Sequence, residues 1–149
     1  MSSDYDAFEF IESPSIHNGI LEGYAMMFED SYKVKVTLDI EKETSNIEDF
    51  RSLANVSYDR ISRLNLERFK ILKKEITNRI TTSSYSQSEY IPTEKDFHSL
   101  QNELKIDQIN FYTEDFVLLF YAKNNFPDST IYIQLNDAFE IENIEVLKS

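Results

Sequence analysis

Cysteine is absent from this 149-residue chain, so a disulfide framework, a Cys-ligated metal and a thiol nucleophile are all excluded. That composition suits a reducing compartment. Glycine is almost as scarce, Gly19 and Gly23 being the only two. Phosphate-cradling loops built on clustered glycines, the Walker and dinucleotide-binding types among them, are therefore excluded as well. No uncharged apolar run approaches the roughly 20 residues that span a bilayer. Met1–Asp6 is polar and acidic, with no charged-then-apolar leader. The expectation is a soluble, cytoplasmic protein with no membrane partner.

Hydrophobic residues make up 41% of the chain and aromatics 13%, which excludes disorder over most of it. A single domain of this length buries about 68–70% of its unfolded surface and needs neither disulfide nor metal to hold it. The net charge of −12 is uneven: residues 1–50 carry 12 acids against 3 bases, 51–100 carry 6 against 9, and 101–149 carry 9 against 3. A polyanion is repelled by nucleic acid and by anionic membrane, and its encounter with basic proteins is accelerated.

The strongest pattern is helical. From Ile47 to Ile80 the apolar residues keep one phase for about nine turns. Ile47, Phe50, Leu53, Ala54, Tyr58, Ile61, Leu64, Ile71, Leu72 and Ile76 fall within an arc of about 140°. Val56 and Leu66 interrupt the stripe, which locates a bend near Asn65 or a join between two helices. Ser45-Asn46-Ile47-Glu48 fits a capping box at the start. Before the helix, Ala7–Ile11, Ile20–Phe28 and Tyr32–Glu41 read as strands. They are separated by Ser13-Pro14-Ser15, the Asn18-Gly19 turn and Glu29-Asp30-Ser31. Ile20–Phe28 is apolar on both faces apart from Glu22 and reads as a strand well inside the sheet. Tyr32–Glu41 alternates cleanly, and a strand with one wet face fits antiparallel pairing with its predecessor.

Thr81–Tyr90 is a polar connector, and Thr93 caps a shorter second helix with Phe97, Leu100 and Leu104 on its apolar face. Gln108–Thr113, Phe116–Ala122, Thr130–Asn136 and Ile141–Leu147 follow as strands, with turns at Glu114-Asp115, Lys123–Ser129 and Asp137–Glu140. The expected fold is α+β: one antiparallel sheet of six or seven strands, with one long and one short helix on one face, in the order βββ–αα–ββββ.

Catalytic signals are sparse. His17 and His98 are the only histidines, neither lies in a local acid–base motif, and both read as exposed. Asp39, Glu41 and Glu43 alternate along one strand face, an arrangement that would suit a hard cation, yet no EF-hand loop accompanies them. The basic helix face of Arg60, Arg63, Arg68, Lys70, Lys73, Lys74 and Arg79 reads as a counterweight to an acidic body. The exposed interleaved aromatics of a nucleic-acid platform are missing from it. Tyr85, Tyr90 and Phe126 fall in expected loops, and tyrosine is favoured at protein interfaces.

In the second half, a short helix over Thr93–Lys105 is followed by Ile109-Asn110-Phe111-Tyr112, a hairpin to Phe116-Val117-Leu118-Leu119-Phe120-Tyr121, then Thr130-Ile131-Tyr132-Ile133-Gln134-Leu135 and Ile141–Val146. This order resembles a group of small bacterial domains of unknown function, some of them encoded near toxin systems as immunity-like proteins. The resemblance covers about a third of the chain and is one of pattern. In those relatives a Gly-His pair often precedes the penultimate strand; here Asp128-Ser129 stands near that place. The resemblance implies a compact α+β domain that acts by binding and has no assigned enzymatic activity.

The expected function is a non-enzymatic protein-binding module, in its sharpest form an acidic immunity or inhibitor protein that neutralises a basic partner such as a toxin nuclease. Asp39, Glu41, Glu43, Tyr85 and Tyr90 are the expected partner-binding residues. No cofactor, metal ligand or catalytic residue is assigned. The alternatives are a metal-dependent hydrolase using the Asp39/Glu41/Glu43 face and a structural subunit of a homo-oligomer.

Overall fold

In the computed structural model, residues 6–28, 32–85 and 89–148 are described. Met1–Tyr5, the expected Glu29-Asp30-Ser31 turn and residues 86–88 of the polar connector lie outside them. Seven strands form one sheet in sequence order: β1 (Glu12–His17), β2 (Ile20–Met27), β3 (Tyr32–Asp39), β4 (Lys105–Phe111), β5 (Phe116–Ala122), β6 (Phe126–Leu135) and β7 (Ile141–Lys148). A short 3-10 turn (Ile47–Phe50) and the helices α1 (Arg51–Arg63), α2 (Leu66–Ser84) and α3 (Glu94–Glu103) lie between β3 and β4. Among the described residues no helix is long and apolar enough to cross a membrane.

The α+β class holds, but the sheet is mixed. β3 and β4 pair in parallel, Val36 opposite Ile109 and Leu38 opposite Phe111, while every other neighbouring pair is antiparallel. A parallel pair needs a crossover of a dozen residues or more, and the helical segment supplies it. Alternation of apolar and polar residues reports that one sheet face is wet; it carries no information on the direction of the neighbouring strand.

The long helical stretch divides near Asn65, where the interruption of its stripe places a bend or a join. Leu64 ends α1, its amide reaching Arg60 O at 3.2 Å and Ile61 O at 3.3 Å. Asn65 is extended (ψ 174°) and its Oδ1 accepts the Arg68 amide at 2.9 Å, so a new helix starts there. The break resets the phase. Phe69 turns inward, whereas Tyr58 and Ile71, both assigned to the buried stripe, are 43% and 65% exposed. The first cap is likewise Asn46, not Ser45: its side chain accepts the Glu48 amide at 3.1 Å and opens the 3-10 turn. The Thr93 cap is as expected, completed by Asp96 as a capping box.

Ala7–Ile11 is a turn, not a strand. Its Ala7, Phe8 and Ile11 side chains plug into the core while Glu9 and Ile11 amides close short turns on Asp6 and Phe8. β1 begins only at Glu12 and carries an irregularity between Glu12 and Ser15. Both glycines have physical reasons. Gly19 (φ 77°) follows Asn18 (φ 53°) in the two-residue β1–β2 hairpin, where both central residues need positive φ. At Gly23 a Cβ would stand 2.5 Å from Ile11 Cγ2 and 2.8 Å from Glu12 O, so this position lets the N-terminal segment cross β2 closely.

The core joins both halves of the chain. Val34, Val36 and Leu38 of β3 meet Ile109 and Phe111 of β4, then Phe116, Leu118 and Phe120 of β5 and Ile131, Ile133 and Leu135 of β6. Phe69 of α2 stacks on Phe120 at 5.8 Å. On the opposite sheet face Thr37 bonds Asn110 at 2.8 Å and Gln108 bonds Asn110 at 2.7 Å.

Arg60 departs most from the expected exposed basic face: it is 1% exposed. Its guanidinium donates to Asp137 Oδ1 at 2.7 Å, Tyr112 O at 2.6 Å, Asp115 O at 3.2 Å and Thr113 O at 3.3 Å, and lies over the Phe116 ring. It thereby ties α1 to the β4–β5 and β6–β7 turns. Arg63 and Arg68 both stand over the ring of Phe139 (φ 62°) in the latter turn, at 4.9 and 4.6 Å. Much of the basic face thus serves the protein's own packing.

α3 is held by two carboxylates. Asp96 accepts the Thr93 amide at 2.8 Å and the Tyr90 hydroxyl at 2.7 Å, which keep its pKa below the ordinary carboxylate range. Desolvation raises that of Glu103, but bonds from the Asn125 and Asn124 amides at 2.8 and 2.7 Å outweigh it, and the net shift is downward. Depressed folded-state values give stability that is present above the unfolded pKa, about 4, and lost as pH falls through the folded values. Below about pH 4, α3 amides should therefore lose hydrogen-exchange protection, corrected for intrinsic rates, before β5 amides do. Simultaneous loss in both elements would refute this.

Candidate functional site

The end of the sheet at which β3 finishes collects most of the acidic residues singled out above. Asp39 is the last residue of β3 and is half-buried. Its Oδ1 accepts the Glu41 amide at 2.7 Å, and Glu41 takes a left-handed backbone (φ 57°). The strand therefore stops at Asp39, and the expected single strand face of Asp39, Glu41 and Glu43 is replaced by a strand end and a loop. Glu43 runs past the β1–β2 hairpin, its Cα 3.7 Å from where a Cβ on Gly19 would lie.

Tertiary structure supplies a different third carboxylate. Burial raises the pKa of the Tyr112 hydroxyl above the ordinary tyrosine value, and Asp39, Asp115 and Glu41 raise it further against an opposing bond with Asn110. Asp39 ends β3 one step beyond the Leu38–Phe111 pair, beside Tyr112, which follows directly after β4 and whose amide donates to the Asp115 carbonyl at 2.9 Å. Among the described residues, no Lys or Arg forms an ion pair with Asp39, Glu41 or Glu43; the nearest pair in the loop is Lys42 with Asp49 at 3.9 Å. Nor, among the described residues, does any group of three His, Asp or Glu side chains have the placement to hold a metal ion.

Tyr85 and Tyr90 do come together, ring centroids 4.9 Å apart and tilted by 46°. They sit in the connection from α2 to α3, and the bond from Tyr90 to Asp96 fixes the pair to the helical layer. That layer enters the sheet at Lys105, the end opposite Asp39, because β3 and β4 run in parallel. The five expected partner-binding residues therefore form two groups: an acidic sheet end and an aromatic pair beside α3. Phe126, expected in a loop, begins β6 and packs against the core. His17 and His98 are both exposed.

Sequence reasoning missed a groove of about 860 Å³ where the N-terminal turn, β2 and the α1–α2 break meet. Phe10, Tyr24, Met26, Tyr58 and Leu66 give it an apolar lining, with Glu9, Glu12 and Glu67 among them. The signal was present in β2. Its second apolar face predicts burial inside the sheet, yet Tyr24 and Met26 are 45% and 37% exposed. Phe10 and Tyr58, with ring centroids 5.5 Å apart, join the N-terminal turn to α1 at one side of the groove.

No family model matches the chain, and no curated protein or solved structure matches it.

Proposed function

We propose that this protein is a non-enzymatic protein-binding module of the immunity or inhibitor kind, and that its acidic sheet end engages a basic partner such as a toxin nuclease. The observation that supports the reading is the placement of Asp39 at the end of β3 beside Tyr112 at the end of β4, with Glu41 in the loop that follows, without a base of the described chain paired to Asp39 or Glu41. Fixed like charges at one end of a rigid sheet accelerate encounter with a basic groove and set its orientation. Tyr112 offers an amphipathic ring in the midst of that charge.

The test is the association rate with a panel of basic nucleases at low and high salt, for the native chain and for the triple Asp39/Glu41/Glu43→Lys variant. The native rate should fall steeply with salt, while the variant should associate about tenfold or more slowly at low salt with little salt dependence. Asp39 is half-buried and the other two residues exposed, so circular dichroism should show a folded variant. Equal association by both proteins at every salt concentration would remove this face from the reading.

A further inference from the structure

The groove beside β2 lies at the other end of the sheet from the acidic cluster. In the β2–β3 register Ile20 stands opposite Asp39 and Met27 opposite Tyr32, so the length of β2 separates the two places, about 20–25 Å. β1 covers β2 only as far as Tyr24, which pairs with Glu12; the preceding turn then takes the chain into the core. Beyond Tyr24, among the described residues, no strand pairs with that edge of Ala25–Met27. β2 thus presents a short stretch of open sheet edge inside a groove.

The lining gives the chemistry of what would fit there. Tyr24, Met26, Tyr58 and Leu66 are between 37% and 53% exposed, an apolar patch of aromatic and methionine side chains of the type enriched at interfaces. Methionine adapts readily to differently shaped partners. Glu9, Glu12 and Glu67 are the charged residues of the lining, with no Lys or Arg among them. Glu12 is paired to Lys33 at 3.1 Å. Among the described residues no cation lies within ion-pair distance of Glu9 or Glu67.

We infer that this groove docks a short extended segment of a partner protein in which Lys or Arg alternates with apolar residues, added as a strand to the open edge of β2. Backbone pairing with Ala25–Met27 supplies the alignment, and the alternate side chains divide between the apolar lining and the carboxylates. The site is separate from the acidic sheet end and does not depend on the inhibitor reading.

The test is titration of the isotopically labelled full chain with short synthetic peptides, followed by amide NMR shifts. One probe alternates lysine and valine, a second alternates glutamate and valine, and a third is the lysine peptide N-methylated at alternate residues. The lysine peptide should shift the Ala25–Met27, Tyr58 and Leu66 amides. The glutamate and N-methylated peptides should bind about tenfold or more weakly, the equivalent of at least about 1.4 kcal/mol. The double variant Glu9→Lys/Glu67→Lys, altered at two exposed positions, should lose a similar factor, whereas the triple Asp39/Glu41/Glu43→Lys variant should bind the lysine peptide as the native chain does. Equal binding of the methylated peptide would overturn strand addition, and equal binding of the glutamate peptide would overturn the charge assignment. Shifts confined to the acidic sheet end, or no shifts at millimolar peptide, would overturn the site. Shifts at the same amides that grow with protein concentration alone would place a second copy there and overturn the partner segment.

Discussion

Arg60→Ala should destabilise the protein by about 3–5 kcal/mol, the range for breaking a buried, multiply bonded charge. The ion pair is the smaller part of that loss, since Asp137 is 62% exposed and can be hydrated once the guanidinium is gone. The larger part is the loss of the bonds to the Tyr112 and Thr113 carbonyls, an acceptor left buried and unpaired costing about 1–3 kcal/mol; the Asp115 carbonyl keeps the Tyr112 amide at 2.9 Å. Loss of packing against Phe116 adds to it. At about 2–4 °C per kcal/mol for a chain of this size, the melting midpoint should drop by roughly 6–20 °C. Asp137→Asn is the control and should cost far less, because it leaves the carbonyl bonds in place. If Arg60→Ala melts within about 1 kcal/mol of the native chain, water enters and replaces the guanidinium, and the anchoring role is wrong.

Gly23→Ala is expected to cost about 1–3 kcal/mol, the usual penalty of overpacking. The added methyl would stand 2.5 Å from Ile11 Cγ2 and 2.8 Å from Glu12 O. A side chain can turn aside, but the Glu12 carbonyl belongs to the first residue of β1 and moves only with the strand. The double variant Ile11→Ala/Gly23→Ala separates the two contacts. It relieves the first and not the second, so in denaturant titration it should remain less stable than Ile11→Ala alone. Equal stability of those two proteins would mean that the N-terminal segment shifts freely over β2, and that Gly23 is not required for the crossing.

Much of the sheet was legible because strand position is written in short-range alternation. Val34, Val36 and Leu38 point into the core as their spacing predicts, and Phe116–Ala122 forms β5 with the predicted bounds, in the interior of the sheet. The Asn18-Gly19 hairpin and the Thr93 cap were legible for a similar reason, since each depends on local backbone chemistry. Asn65, an N-cap residue followed by Glu67, carried the same kind of information, and the interrupted stripe placed a bend or a join there; the change of phase that exposes Ile71 was not written in it. Ala7–Ile11 misled in the opposite way: its apolar residues enter the core as a plug, and three buried side chains in five residues resemble a strand when read alone.

The candidate sites were less legible because each is assembled from distant segments. Asp39 and Glu41 are read together in the chain, yet the third carboxylate near Tyr112 is Asp115, brought there by the parallel pairing of β3 with β4 and the hairpin that follows. Tyr85 and Tyr90 meet as loop aromatics close in sequence. The groove joins Glu9, Tyr24, Tyr58 and Glu67, whose proximity no local pattern announces.

By itself the sequence determined the α+β class, the strand inventory after residue 20, the helical middle and the acidic balance, for burial periodicity and charge are properties of neighbouring residues. Only the tertiary structure decided the direction of β4 beside β3, the burial of Arg60 and the open edge of β2. Each of these depends on which remote backbone groups lie against a segment, and satisfying buried carbonyls or covering a strand edge is a condition on the folded whole.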